Sequence, residues 1–253
     1  MTSELTITES GPAAGRPVLV LHGGGGPATV APIAEHLATT AHTLLPTHPG
    51  WNGTPRPDRF TSVADLAAAY LRLLRDRHLS DVLVVGSSLG GWIGAELAAA
   101  DTEGRISGVA LLNSVGIEVD GEPIRDFFAL DARGVAEYAF HDSERFYVDP
   151  ATFPAERLAV IQANMAALRV FSGGPAMNDP SLRTRLAAVT VPALVLWGES
   201  DRIATPAYGE EYAASFGNAR FAVVAEAGHL PHLEQPAQTF ALLDAFATET
   251  GRG

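Results

Sequence analysis

In Gly86-Ser87-Ser88-Leu89-Gly90, a serine stands two residues from a glycine on either side, at the point where the apolar run 81–85 gives way to the helix-prone stretch 91–100. A strand that turns abruptly into a helix holds its central residue in a strained conformation and lifts that side chain above the sheet. The positions two before and two after must be nearly side-chain-free, or strand and helix could not approach. Ser88 is therefore the candidate nucleophile, against the alternative of a plain helix-capping serine. Ser87 lacks the flanking glycines and reads as structural.

A serine hydroxyl attacks at neutral pH only beside a base. His229 follows the apolar segment ending at Val224, within Ala225–Pro236, and Gly228 before it lets the loop turn back over the sheet. His232 is its nearest competitor. The pair has His-x-x-His spacing but no third ligand at suitable distance, so a metal site is not expected. His22, His36, His42, His48, His78 and His141 read as surface or core residues. A base also needs a carboxylate to fix its tautomer. Asp201, after the buried run 192–197 and the turn-opening Gly198, is the candidate. Glu199 sits too close to the strand, and Glu118 or Asp120 is the second-best location. The order Ser, Asp, His matches the triad order of strand–turn–helix nucleophile folds.

His22-Gly-Gly-Gly-Gly26 follows another apolar run, 17–21. Residues without side chains leave backbone N–H groups free to meet a developing oxyanion. Gly24 is the first choice of donor, with Gly25 open, and the N–H of Leu89 would be the second donor. A phosphate-cradling reading fails, because the spacing gives neither G-x-G-x-x-G nor a following Gly-Lys-Ser/Thr.

These residues need elements to carry them. Unalternated apolar runs at 17–21, 81–86, 106–112, 192–197 and 220–224 have the pattern of strands buried on both faces of a parallel sheet. Shorter strands are read at 3–9 and 43–45. Amphipathic helical patterns fall at 28–40, 61–78, 206–216 and 236–248. Between 117 and 187 the alternation stops, leaving helical patterns rich in aromatics: Phe127, Phe128, Tyr138, Phe140, Phe146, Tyr147, Phe153 and Phe171. The expected organisation is an α/β core of 1–116 and 188–253 with a helical insertion, 117–187, over the strand carboxyl ends, where open α/β sheets bind ligands. Its aromatics should line an apolar pocket, pack the insertion onto the core, or both. Trp92 and Trp197 read as core residues, whereas Trp51 could face the entrance.

Composition narrows the function classes. The 253 residues carry a formal charge of −12, which argues against nucleic acid or an anionic membrane as partner. Absence of cysteine removes disulfides, thiolate catalysis and cysteine-bound metal. The first ten residues lack a signal-peptide pattern and no apolar run suits a membrane helix, so a soluble, cytoplasmic protein is expected. The oligomeric state is not legible.

Taken together, HGGGG at 22–26, GSSLGG at 86–91, GESD at 198–201 and AGHLPHLEQP at 227–236 resemble the α/β-hydrolase superfamily over nearly the whole chain. His48-Pro-Gly50 resembles that family's Pro-Gly loop. The resemblance implies a mostly parallel eight-stranded sheet, a helical cap, acyl-enzyme chemistry and no cofactor. Serine at 88 departs from the aspartate of haloalkane dehalogenases and epoxide hydrolases. Ser87 and Leu230 stand where carbon–carbon bond hydrolases often carry Asn and Trp, which disfavours that branch. Cofactor-free haloperoxidase-like members share the serine triad, so that branch, with the carbon–carbon bond hydrolases, stands as the alternative. The expectation is a carboxylesterase-like serine hydrolase for a small to medium, largely apolar ester. A small-ligand binding protein on the same fold is the non-enzyme alternative.

Overall fold

The computed structural model describes residues 5–251. Its sheet is built from β1 (Thr6–Ser10), β2 (Pro17–Leu21), β3 (His42–Thr47), β4 (Val82–Ser87), β5 (Ile106–Leu112), β6 (Ala193–Gly198) and β7 (Ala219–Val224), in the order β1-β3-β2-β4-β5-β6-β7. All neighbours run parallel except β1 against β3. Seven strands, not eight, are present among the described residues. Among the described residues before Pro17, only Thr6–Ser10 pairs with the sheet. Positions 3 and 4 of the strand read at 3–9 lie outside the described residues.

The helices are α1 (Ala31–Leu37), α2 (Val63–Asp76), α3 (Leu89–Ala100), α4 (Ala132–Ala139), α5 (Ser143–Phe146), α6 (Ala155–Phe171), α7 (Leu182–Leu186), α8 (Pro206–Ala214), α9 (Pro231–Glu234) and α10 (Pro236–Thr250). None among the described residues is long and apolar enough to cross a membrane.

Each central strand feeds two cores because successive side chains point to opposite faces. Val82, Val84, Leu19 and Leu21 join the core made with Leu66 and Tyr70 of α2, Trp92 of α3, and Tyr208 and Tyr212 of α8. Leu83, Val85, Val18 and Val20 join the other, made with Ile33 and Leu37 of α1 and Leu243 and Phe246 of α10. Burial on both faces is why β4, β5 and β6 show no polar alternation.

Two ties hold the base of the stretch between β5 and β6. Gly116 bridges Asn178, and Asp179 N–H donates to the Gly116 carbonyl at 2.9 Å. Arg185 of α7 grips the buried Glu96 of α3 with two hydrogen bonds, at 2.6 and 2.8 Å. Farther out, Asn52 and Asn164 join the loop after β3 to α6. Asn52 N–H donates to Asn164 Oδ1 at 2.8 Å, and Asn164 Nδ2 donates back to Asn52 Oδ1 at 3.1 Å.

Candidate active site

Ser88 sits at φ 57°, ψ −120°, between the end of β4 and the first residue of α3. Such a left-handed backbone costs a non-glycine residue about 1–3 kcal/mol. The flanking glycines are required by contact. A Cβ on Gly86 would lie 2.2 Å from the Gly90 carbonyl oxygen, and one on Gly90 would lie 2.1 Å from that of Leu21. Ser88 holds the N-cap position of α3, yet its side chain makes no capping hydrogen bond. Its hydroxyl turns instead to His229, with Oγ 3.0 Å from Nε2.

The other ring nitrogen, Nδ1, lies 2.8 Å from Asp201 Oδ2. Facing a carboxylate, Nδ1 carries the proton, which leaves the Nε2 lone pair to accept from Ser88. Asp201 is buried and fully engaged. Oδ2 also accepts from Asn113 Nδ2 at 2.7 Å, while Oδ1 accepts from the N–H groups of Ile203 and Ala204 at 2.8 and 3.3 Å. Four donors fix the direction of this carboxylate. Glu118 and Asp120 are exposed, and Glu199 accepts from the N–H of Glu226 at 3.2 Å.

The loop carrying His229 is locked on both sides. Its N–H donates to the Ala139 carbonyl at 2.6 Å, and a Cβ on Gly228 would lie 2.2 Å from that same oxygen. Glu234, buried in α9, accepts from the N–H of Gly228 at 2.6 Å and from those of His141 and Asp142 at 2.9 and 3.1 Å. One carboxylate thus joins the histidine loop to the end of α4. His232 points elsewhere: its Nε2 donates to the Thr29 carbonyl at 2.7 Å, and burial pushes it down to about 4.

The glycine loop is held by its carbonyls. His22 Nδ1 donates to Gly23 O at 2.7 Å, and Trp51 Nε1 donates to Gly24 O at 2.9 Å. In a trans peptide the N–H points opposite the C=O, so these two bonds orient the N–H groups of Gly24 and Gly25. Neither N–H donates within the protein among the described residues, nor does that of Leu89, which as the first residue of α3 has no helical acceptor. A Cβ on Gly23 would stand 2.9 Å from Ser88 Cβ, and one on Gly24 would stand 2.7 Å from Leu168 of α6.

Trp51 is fully buried rather than at the entrance, because its indole N–H spans to the glycine loop and its ring packs 5.4 Å from Phe171. Beneath it, the rings of His22 and His48 stack at 3.7 Å. His48 N–H donates to His22 Nε2 at 3.1 Å, its own Nε2 donates to the His22 carbonyl at 3.0 Å, and Tyr70 OH donates to His48 Nδ1 at 2.5 Å. This network suits two neutral imidazoles, and burial pushes His22 down to about 4 and His48 lower than usual as well.

Two adjoining cavities reach the site. The inner one, about 190 Å³, is walled by Ser88, His229, the glycine loop, Val115, Met177 and Ile203. The outer one, about 410 Å³, is walled by Phe127, Phe146, Tyr147, Phe153, Ile161 and Met165 among others; Ser88 and His229 are absent from its lining. Gly24, Gly25, Phe127, Val135 and Phe140 line both. The aromatics between β5 and β6 therefore divide: five wall these cavities, whereas Phe171 packs on Trp51 in the core.

A serine on a strained elbow, hydrogen-bonded to an imidazole backed by a carboxylate, is matched by the family to which the sequence corresponds. The model of the alpha/beta hydrolase family matches residues 18–242. The chain belongs to that family. It is 29% identical over 243 residues to a dihydrolipoyllysine-residue acetyltransferase component of the acetoin cleaving system from Cupriavidus necator, covering 89% of this chain and 62% of that protein. It is 26% identical to 3-oxoadipate enol-lactonase 1 of Acinetobacter baylyi over 74% of this chain and 71% of that one. In structure it is similar to a thermophilic esterase from Thermogutta terrifontis, with a TM-score of 0.77 at 21% identity, covering 98% of this chain and 94% of that chain.

Two contributors, Asn113 and Glu234, and the role of a third, Trp51, escaped the sequence reading. Asn113 carries no motif and is recognised only when the ends of β5 and β6 lie side by side. Trp51 and Glu234 act through bonds to segments 27 and 6 residues away in sequence, which no periodicity reports.

Proposed function

We propose that this alpha/beta hydrolase cleaves carboxylic esters through an acyl-enzyme formed on Ser88. The observation that carries the reading is the continuous line Ser88 Oγ–His229–Asp201, at 3.0 and 2.8 Å. Ser88 attacks the ester carbonyl as His229 Nε2 takes its proton, and Asp201 stabilises the imidazolium. The tetrahedral oxyanion forms beside the N–H groups of Gly24 and Leu89, the donors this reading assigns. Losing one such donor raises a barrier by about 2.7–4 kcal/mol. His229 then protonates the departing alcohol, the acyl-enzyme remains on Ser88, and a water deprotonated by His229 releases the acid. The helical insertion acts as a cap whose aromatic walls receive a small to medium, largely apolar molecule.

The test is labelling with a fluorophosphonate probe beside turnover of 4-nitrophenyl acetate. Both should occur in the wild-type protein and vanish in Ser88→Ala. A folded wild-type protein that takes no label and turns over no ester sinks this reading in favour of a binding protein.

A further inference from the structure

Accepting Ser88 as the nucleophile, the two cavities bear on the chemistry of its ester. We propose that the substrate is an uncharged ester whose longer arm lies in the outer cavity, and that an ester bearing a carboxylate on that arm is rejected. This rests on the esterase reading above and narrows it.

Size assigns the arms. A cavity of about 150 Å³ holds one benzene. The inner cavity, about 190 Å³, therefore takes the ester group and a small arm. The outer one, about 410 Å³, has room for a chain or ring system more than twice as large.

Charge assigns the class. The chain contains no lysine, so its 17 cationic side chains are all arginines. Among the described residues, no arginine lines either cavity, and the one carboxylate in the two walls is Asp131. Arginines are close by but are placed on rings. Arg133 lies over Tyr147 at 5.0 Å, Arg145 over Phe146 at 5.3 Å and Arg157 over Phe153 at 3.9 Å. These guanidinium groups pack on the aromatic walls without forming part of the lining. A carboxylate entering this space, which stays partly open to water past the half-exposed Val148 and Ile161, would shed part of its hydration, find no cation in the lining and face Asp131. An ion transferred from water without a partner is strongly disfavoured.

The experiment compares kcat/KM within two matched pairs. Where the acyl arm is long, 4-nitrophenyl hexanoate is set against the mono-4-nitrophenyl ester of adipic acid. Where the alcohol arm is long, hexyl acetate is set against 6-acetoxyhexanoate. The neutral ester should be favoured about tenfold or more in each pair. Ile161→Arg places a cation in the outer wall from a half-exposed site on α6, and should narrow at least one ratio about tenfold. Asp131→Asn is the second variant, because its amide oxygen can still accept the 2.7 Å bond from Gly134 N–H that caps α4. It should narrow the same ratio severalfold.

Comparable rates within either wild-type pair overturn the proposal. So do ratios unmoved in both variants, which would mean that the long arm lies elsewhere. Failure of the fluorophosphonate label or of all neutral esters would instead remove the esterase reading itself, and this proposal with it.

Discussion

Lowering the pH should destabilise this protein through buried histidines, and His232 lets the effect be isolated. Its ring is 1% exposed, its Nε2–H donates to the Thr29 carbonyl, and Nδ1 finds no partner among the described residues. Burial pushes its pKa from the ordinary 6.5 down to about 4, with the Thr29 carbonyl opposing and His229 adding slightly to the fall. In the unfolded chain the ring takes up a proton below about 6.5, whereas in the folded state it does so only near 4. The unfolded state thus binds more protons throughout that window, and stability falls as the pH falls. Above 6.5 the ring costs nothing; by pH 5 it has withdrawn about 1.5 × 1.36, or roughly 2 kcal/mol.

Urea unfolding at pH 7 and pH 5, followed by tryptophan fluorescence, measures the loss in the wild-type protein and in His232→Gln. Glutamine keeps an N–H where Nε2 stood but does not titrate. Whatever the substitution does to stability at pH 7, the drop between the two pH values should shrink by roughly 2 kcal/mol. Equal drops, within about 0.5 kcal/mol, would refute the argument that His232 is held neutral by its burial.

Asp201→Asn should fold yet lose about 10³–10⁴ in kcat, because the side chain would aim an amide donor at His229 Nδ1 and Asn113 Nδ2, disfavouring the productive tautomer; steady-state kinetics check this. Trp51→Phe keeps the ring but frees the Gly24 carbonyl. That loosens the N–H of Gly25 while His22 still orients that of Gly24, so kcat and the affinity for a boronic-acid transition-state analogue should stay within about threefold, whereas a tenfold fall in both would move the oxyanion donor to Gly25. Gly90→Ala should lower Tm by about 10 °C or more, or abolish folding, since its Cβ would meet the Leu21 carbonyl oxygen at 2.1 Å; thermal unfolding by circular dichroism decides.

Local signals were enough to show which parts of the chain form the framework. The runs 17–21, 81–86 and 106–112 are largely apolar, short and bounded by turn residues, the pattern of strands covered on both faces. Glycines at 86 and 90 announced the elbow because a side chain at 86 would collide with the start of α3 and one at 90 with the end of β2, a constraint written into five consecutive letters. Serine, aspartate and histidine could be ordered along the chain because each follows its own strand. What stayed hidden depends on partners far apart in sequence. That Asn113 meets Asp201, 88 residues on, requires β5 and β6 to end side by side. That Trp51 turns inward rather than toward the entrance depends on one hydrogen bond to Gly24 and on Phe171 of α6 packed above it. The division of the aromatics between β5 and β6 into cavity wall and packing was likewise decided in three dimensions, for a ring's burial depends on what the rest of the chain brings against it.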